Sequence, residues 1–466
     1  MSTFFNQVSE LKNNIFIREM SEKLLECGEI PAELYTKYNV KRGLRNANGT
    51  GVLVGLTKIS NVEGYRLNEN KEKIAAPGKL YYRGYNVEDI VKSFIDEKRF
   101  GFEEVTYLLL FGELPNRKQL LDFQSLLGSS RELPRGFAWD MILVAPSSSL
   151  MNKLARSILA LYSYDENPED TSIENVLRQS IELIGYFPAL IAYAYQAKRS
   201  YYDNESLHLH YPIAELSTAE NILRMIRPTG EFSHLEARIL DLSLILHAEH
   251  GGGNNSSFTT HLISSSGTDT YSAISAAVGS LKGPRHGGAN IQVINMISDL
   301  KQHVKDITNE KELENYFRKV LRKEANDGSG LIYGLGHAIY TLSDPRAVLL
   351  KDMAKKLAEF KGLQEDFALC EYIENKCPAL YCEITGEDKL MPANVDLYSG
   401  FVYRALNIPP DVATPLFATA RLSGWCAHRL EELISGKKLM RPAYLGVQPH
   451  RAFVRMSDRV EDAEED

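Results

Sequence analysis

The sequence predicts a mainly α-helical protein, and three observations support this fold class. Apolar residues recur at helical spacing through most of the chain, two helix starts carry a Ser-x-x-Glu capping box, and strand signals are sparse. Strands are expected only near the N-terminus, at residues 51–59 and 79–83, where β-branched and aromatic residues cluster. No internal repeat recurs at a fixed period. The chain is therefore expected to be all-α apart from a few short N-terminal strands.

The two capping boxes predict two helix starts in the middle of the chain. They are Ser217 with Glu220 and Ser233 with Glu236. The first precedes an apolar-periodic segment at 221–226. The second precedes a segment at 235–250, which is expected to end near Gly251. His247 and His250, three residues apart, are then expected to lie close together near the end of this helix.

Length and composition indicate a globular chain of more than one domain. The chain has 466 residues, of which 44% are hydrophobic and 24% charged, so two or three domains are expected. Its net charge is −8, partly from an acidic segment at 458–466 that is expected to be solvated. No basic patch of the kind that binds nucleic acid is present in the sequence. The longest apolar run, 183–194, contains Pro188 and is too short to span a bilayer.

The cysteines and the N-terminal residues favour a cytoplasmic protein. Five cysteines form an odd set without a Cys-x-x-Cys pair, which indicates neither a disulfide framework nor a thiolate zinc site. The N-terminal segment mixes acidic and basic residues and has no apolar signal core or acid-free transit pattern. Localisation in the reducing cytoplasm is therefore expected.

The segment 280–290 contains the residue with the clearest chemical role. His286 follows a Gly-Pro turn and precedes a helical pattern that begins at Ala289. The positive end of the helix dipole favours an uncharged imidazole at this position. A neutral ring can donate a hydrogen bond to a forming enolate, so we expect His286 to be catalytic rather than a turn residue.

Several further segments place unusual residues in a distinctive order. They are 247–254, 333–346, 392–400, 417–425 and 440–442, which contain histidines, arginines and one aspartate. In order and spacing, from about residue 80 to about 445, the chain resembles the citrate synthase family. The resemblance implies a large helical domain made of residues 1–285 and 403–466, the latter with the acidic tail, and a smaller helical domain at 286–402.

The resemblance also implies the catalytic residues. Asp396 matches the family's base, which removes a proton from the acetyl methyl group of acetyl-CoA. His286 matches the histidine that hydrogen-bonds the thioester oxygen, and His337 matches the one that polarises the ketone of oxaloacetate. The acetyl proton is very weakly acidic, so a carboxylate base works only if the enolate oxygen is stabilised as charge develops. Residues 331–337 match the loop against the adenine end of coenzyme A.

The substrate-binding residues are implied in the same way. His250, followed by Asn254, matches a histidine that contacts a carboxylate of oxaloacetate. Arg346, Arg421 and Arg441 match carboxylate-binding arginines, and a dicarboxylate requires planar, bidentate donors. The position of Arg441 reaches the active site of a second subunit in the family, so a homodimer is expected.

Two positions depart from the family pattern. Arg285 stands where an apolar residue is usual, beside His286, and could meet a phosphate of coenzyme A or disturb the neighbouring ring. Ala338 follows His337 where many bacterial members have arginine, although other members have alanine.

Two other kinds of site are disfavoured. His247, His250 and His261 could suggest zinc, but neither a cysteine nor a suitably spaced carboxylate completes the ligand set, and no metal is expected. His247 is expected to be structural. Gly334-Leu-Gly336 begins like a dinucleotide fingerprint, but Ile339 occupies the third glycine position.

The sequence therefore predicts an acyltransferase that condenses acetyl-CoA with oxaloacetate and hydrolyses citryl-CoA to citrate and coenzyme A. It is expected to need no cofactor, with coenzyme A present only as the thioester substrate, and to bind neither nucleic acid nor membrane. A 2-methylcitrate synthase that uses propionyl-CoA shares every motif. A helical interaction protein without activity is a more remote alternative.

Overall fold

The computed structural model describes residues 15–25, 27, 29–70 and 72–459, and most of them are helical. The prediction of a mainly α fold is confirmed. Most of the acidic segment at 458–466 lies outside the described residues. The contacts within the chain divide it into two units. The first contains the residues up to Leu56 and Leu67–Glu72, and the second contains Thr57–Arg66 and the residues from Lys73 onward. The domain division predicted at 285 and 402 remains a prediction.

The N-terminal elements are two helices and one small sheet. They are α1 (15–25), α2 (Ala32–Lys37), β1 (Ser60–Leu67), β2 (Lys73–Tyr82) and β3 (Tyr85–Asn86). The sheet has the order β1-β2-β3, and β3 pairs antiparallel with β2. The predicted strand at 79–83 lies almost wholly in β2.

The predicted strand at 51–59 is wrong. In this segment only Gly51 pairs, in an isolated bridge to Arg45. Leu53, Val54 and Leu56 are exposed and only Ile59 is buried, so the segment lacks the alternating buried face of a half-buried strand. Side-chain β-propensity by itself does not form a strand without such packing.

The remaining helices follow the sheet. They are α3 (Val87–Asp96), α4 (Phe102–Phe111), α5 (Arg117–Ser129), α6 (Leu150–Leu161), α7 (Ile173–Tyr202), α8 (Thr218–Ile226), α9 (His234–His247), α10 (Asn255–Ser264), α11 (Thr270–Lys282), α12 (Ala289–His303), α13 (Glu310–Leu321), α14 (Pro345–Lys361), α15 (Gln364–Thr385), α16 (Val395–Ala405) and α17 (Pro410–Glu431). Short 3₁₀ turns lie at Arg42–Leu44, Tyr162–Tyr164 and Met456–Asp458, and π-helical turns at Ala138–Leu143 and Glu432–Gly436.

Helix α17 is the central element of the core. It is buried along nearly all its length and packs against α4, α7, α9, α10, α11 and α12. Helices α12–α16 pack mainly on one another, with α14 and α12 against α16. The apolar run at 183–194 lies inside α7, and no described helix is both long and apolar enough to cross a membrane.

Both predicted capping boxes are present. Ser217 Oγ accepts the backbone N–H of Glu220 at 3.3 Å, and the Glu220 carboxylate accepts the N–H of Ser217 at 2.8 Å. Ser233 and Glu236 form the same pair of bonds at the start of α9. These reciprocal bonds satisfy backbone donors that the first helical turn leaves free.

Helix α9 ends at His247, earlier than predicted. Side chains from distant elements form hydrogen bonds to the carbonyl oxygens at the end of this helix and just after it. Tyr82 Oη lies 2.9 Å from the oxygen of Ile245 and 3.1 Å from that of Glu249. Arg421 Nε donates to the oxygen of His247 at 2.8 Å. With these carbonyls satisfied, the chain leaves the helix, and His250 lies beyond its end. The expectation that the helix extends to His250 is therefore wrong, although His250 is still close enough for the charge of His247 to act on it.

Candidate active site

His286 lies just before helix α12 and is held as a neutral ring. It stands two residues before the N-cap, Gly288. Its Nε2 accepts the backbone N–H of Ser256 at 3.3 Å and lies 3.0 Å from Ser256 Oγ. Burial and, to a smaller extent, the positive charge of Arg421 lower the pKa of His286 to about 4. The neutral state expected from the sequence is thus supported, with burial as its largest cause.

The hydrogen bonds of His286 determine which nitrogen carries its proton. A ring nitrogen that accepts an N–H has no proton of its own, so the proton of His286 lies on Nδ1. Ser256 is itself fixed, because its hydroxyl accepts the indole N–H of Trp425 at 3.1 Å and its single proton has two acceptors within reach, Asn254 Oδ1 at 2.9 Å and His286 Nε2 at 3.0 Å. His286 therefore offers a positioned Nδ1–H donor.

His337 is held in the opposite tautomer by the chain that follows it. Its Nδ1 accepts the backbone N–H groups of Ile339 at 3.0 Å and Tyr340 at 3.1 Å. The ring proton then lies on Nε2, which is free to donate. Burial lowers the pKa of His337 to about 4, and the charge of Arg346 adds to this effect.

Backbone bonds connect the His337 loop to the start of α16. Gly336 donates to the Pro392 oxygen at 2.8 Å, and Asn394 donates to the Gly334 oxygen at 2.9 Å, on either side of a bridge between Leu335 and Ala393. Gly334 is needed here, because its φ of +91° is left-handed and an added Cβ would lie 3.0 Å from the Cβ of Leu397. Backbone hydrogen bonds thus hold the segment 334–336 against the residues before α16, and this segment is not a phosphate-binding loop between a strand and a helix.

Asp396 lies in the first turn of α16. The N-cap residue Asn394 accepts the backbone N–H of Asp396 at 3.0 Å. Asp396 is half-buried, and its carboxylate has no hydrogen-bond donor among the described residues. Burial raises the pKa of Asp396 to about 6, with Arg346 lowering it and Asp344 raising it. A carboxyl group with this pKa is suited to act as a base near neutral pH.

Arg346, in the first turn of α14, is buried and paired with a carboxylate. Its Nε and Nη2 donate to the two oxygens of Asp344 at 3.0 and 2.7 Å. Burial opposes the charges of both groups, but the ion pair holds the pKa of Arg346 above and that of Asp344 below its ordinary value. The charge of Arg346 also acts on His250, His337 and Asp396, so these residues share one electrostatic environment.

Arg421 is the most unusual charge in the site. It is 0% exposed, and only its Nε has a hydrogen-bond acceptor, the oxygen of His247. Nη1 and Nη2 are buried without a partner among the described residues. Burial lowers the pKa of Arg421 to about 10, and the carboxylate of Glu249 partly offsets this. Leaving buried donors unpaired is costly, so the site is incomplete without an anion.

His250 completes the group of residues around Arg346. It is buried, its ring centroid lies 5.2 Å from that of His337, and its Nε2 lies 3.1 Å from the hydroxyl of Tyr340. Burial, followed by the charge of Arg346, lowers the pKa of His250 well below its ordinary value. His250 is therefore another neutral ring that can bond an anionic ligand.

The two remaining arginines of interest are exposed. Arg441 lies in the irregular segment after α17, and its side chain forms no hydrogen bond or ion pair within the described part of one chain. Arg285 is exposed at the turn before His286. Six of the predicted site residues are thus linked through the charges of Arg346 and Arg421, whereas Arg441 has no such link among the described residues.

The histidines of the disfavoured zinc site have separate partners. His247 Nδ1 lies 2.7 Å from the Ser243 oxygen, within its own helix, and the ring packs against Phe417. This agrees with its expected structural role. His250 contacts Tyr340, whereas His261 contacts Glu432.

Three residues of the site were not identified from the sequence. They are Ser256, Tyr340 and Asp344, which position His286, His250 and Arg346 respectively. Asp344 had a detectable signal, since Asp-Pro at 344–345 is a typical helix start with Asp as the cap. Ser256 and Tyr340 had none, because serine and tyrosine are common in helices and loops.

Comparisons with known proteins find one family over most of the chain. The family "Citrate synthase, C-terminal domain" matches residues 46–443. A citrate synthase of Synechocystis is 32% identical over 412 residues, covering 88% of this chain and 93% of its own. A 2-methylcitrate synthase of Shewanella oneidensis is 30% identical, covering 80% and 90%. A ternary complex of carboxymethyl coenzyme A and oxaloacetate with citrate synthase from Thermoplasma acidophilum superposes with a TM-score of 0.71 at 25% identity, covering 90% and 99%.

Proposed function

The chain belongs to the citrate synthase family, and we propose that His286, His337 and Asp396 carry out its condensation of acetyl-CoA with oxaloacetate. Asp396 takes a proton from the acetyl methyl group. The Nδ1–H of His286 donates to the thioester oxygen as negative charge develops there, and the Nε2–H of His337 donates to the ketone of oxaloacetate. Two neutral donors and one base meet the requirement for forming an enolate and activating its electrophile.

Oxaloacetate supplies the anion that the site lacks. The unpaired Nη1 and Nη2 of Arg421 bind one carboxylate of oxaloacetate, and Arg346 and His250 bind the substrate beside it. The single observation that carries this assignment is the buried, unpaired guanidinium beside two neutral imidazoles. Binding of a carboxylate there gives Arg421 the acceptors that the fold does not provide.

Each developing charge in this scheme has a protein donor, so we propose that condensation needs no metal or redox cofactor. Hydrolysis of the citryl thioester then releases citrate and coenzyme A. The unpaired cysteines are compatible with a reducing compartment, and we propose the cytoplasm.

Acyl-CoA preference is the most direct test of function. Thiol release from acetyl-CoA should depend on oxaloacetate, and kcat/KM for acetyl-CoA should exceed that for propionyl-CoA by about 10- to 200-fold, the discrimination that one methylene provides. Parallel steady-state assays of both thioesters measure this ratio. A preference for propionyl-CoA would identify a 2-methylcitrate synthase, and absence of thiol release from either would favour an inactive interaction protein.

We also propose a homodimer in which Arg441 binds substrate in the active site of the partner subunit. Its exposure, together with the absence of a polar contact to the described residues of its own chain, supports this role. Inactive Arg441→Ala protein mixed with inactive Asp396→Asn protein should recover activity after subunit exchange. A mixed dimer then contains one site with a normal base and a normal arginine.

The mixing experiment needs proof that exchange has occurred. Differently tagged subunits can be purified as mixed dimers. A subunit that carries both Arg441→Ala and Asp396→Asn, paired with a wild-type subunit, is the control, because this dimer has no intact site if Arg441 acts across the interface and one intact site if it acts within its own subunit. Confirmed mixed dimers without recovered activity would mean that Arg441 serves its own subunit or does not bind substrate.

A further inference from the structure

A second group of titratable side chains lies outside the residues that the proposed reaction uses. His261 on α10 and His428 on α17 are both buried. His261 Nε2 lies 3.0 Å from His428 Nδ1, and the ring centroids are 4.8 Å apart. Two imidazole nitrogens therefore face each other across the contact between these helices.

A carboxylate holds the outer nitrogen of each ring. Glu432 Oε2 lies 2.8 Å from His261 Nδ1, and Glu249 Oε1 lies 3.0 Å from His428 Nε2. Metal-binding histidines usually donate their second ring N–H to a carboxylate in this way, which fixes the tautomer and directs the other nitrogen to the metal. Each ring is thus held with one nitrogen against a carboxylate and the other nitrogen directed at the partner ring.

A third carboxylate faces the pair of rings. Glu431 Oε2 lies 3.8 Å from His428 Nδ1 and is buried without a hydrogen-bond partner among the described residues. Its other oxygen, Oε1, accepts the backbone N–H of Lys58 at 2.7 Å, so the side chain is fixed. Ligand atoms of His261, His428 and Glu431 lie within 4.8 Å of one another. Neighbouring ligands in a tetrahedral zinc site are about 3.3 Å apart, so small adjustments would bring all three to bonding distance.

Charge and space also favour a cation. Three carboxylates, those of Glu249, Glu431 and Glu432, lie against the two rings, and a divalent ion would offset their charge. Gly252 leaves room for one carbon-sized atom beside the rings, because a Cβ added there would be in ordinary contact with His428 Cε1 at 3.4 Å, His261 Nε2 at 3.6 Å and Thr57 Cγ2 at 3.6 Å.

We propose that His261, His428 and Glu431 bind one Zn²⁺ ion, with Glu249 and Glu432 as the supporting carboxylates. The ion joins α10 to the C-terminal end of α17. Imidazole and carboxylate ligands in tetrahedral arrangement suit zinc. The alternative is that the two histidines share one proton in a hydrogen bond. Such a pair requires no metal and should not bind Zn²⁺.

The test uses the full-length protein after removal of metal by a chelator. Calorimetric titration with Zn²⁺ should show one saturable site per chain, and Co²⁺ should give the visible bands of a tetrahedral complex. Glu431→Gln should weaken Zn²⁺ binding by at least about 10- to 100-fold. Removal of a group that only hydrogen-bonds a metal ligand already has an effect of this size, and Glu431 is proposed as a ligand itself. The glutamine oxygen can still accept the Lys58 N–H, so this variant should fold.

His261→Asn provides a second variant that should lose the site, and circular dichroism establishes that each variant is folded. His303→Gln is the matched control, because His303 forms an imidazole–carboxylate contact with Asp299 on the exposed face of α12. It should leave the titration unchanged. Absence of saturable Zn²⁺ binding, or equal binding by wild type and Glu431→Gln, would overturn the proposal and leave the proton-sharing pair.

Discussion

Asp396→Asn is expected to reduce kcat by about 10²- to 10⁴-fold, the usual contribution of a general base. The amide preserves the shape of the side chain but cannot accept the acetyl proton. Folding should be unaffected, because burial already disfavours the charged form of Asp396 and raises its pKa to about 6. Oxaloacetate affinity should remain close to that of the wild type, since Asp396 is not among its proposed ligands. Steady-state kinetics and calorimetry measure the two effects separately.

The pH dependence gives an independent check on the same residue. A base works in its deprotonated form, so kcat/KM of the wild type should rise with pH through about 6, the pKa of Asp396 in the free enzyme. Asp411→Asn is the matched control, because Asp411 also lies in the first turn of a helix but is exposed and pairs with Lys198. A folded Asp396→Asn protein with normal kcat would exclude Asp396 as the base.

Arg421→Met is expected to weaken oxaloacetate binding by about 10²- to 10³-fold, because removal of one partner from a buried charged pair costs roughly 2–5 kcal/mol. The loss of stability should nevertheless be small. Without substrate, two donors of this guanidinium are unpaired, so the variant loses one hydrogen bond to His247 but also removes a buried charge that is costly to the fold.

Arg429 on the same helix provides the contrast. It is also 0% exposed, but its three nitrogens donate to Thr270 Oγ1, Ser264 Oγ and the Thr268 oxygen. Arg429→Met leaves these acceptors unpaired and should lower the melting temperature more than Arg421→Met does. Thermal unfolding and calorimetry with oxaloacetate compare the two variants. Normal oxaloacetate affinity in Arg421→Met would mean that the substrate binds elsewhere.

The sequence predicted the site better where its signals were local. Residues within a few positions of one another define the turn at His286 and the loop at His337, and the structure holds both rings neutral. The early end of α9 was not predictable, because the groups that bond the carbonyls there come from Tyr82 and Arg421, each more than 160 residues away in sequence. Periodicity within a segment contains no information about such partners.

The cluster around His261 was missed for the same reason. No carboxylate lies at suitable spacing near His261 in the sequence. Glu432, which forms a hydrogen bond with the ring of His261, lies 171 positions further on. The pair of His428 and Glu431, three residues apart on α17, was the available signal. That spacing places two side chains on one face of a helix, but it does not show which other helix they meet.

The way in which His286 and His337 are held has a consequence for how mutations affect the enzyme. Main-chain amides fix the tautomer of each ring. The amide of Ser256 does so for His286, and the amides of Ile339 and Tyr340 do so for His337. A change of side chain at these three positions leaves the amide in place, and only proline removes the N–H. The most demanding property of the two histidines, the position of a single proton, is therefore buffered against most genetic variation around it.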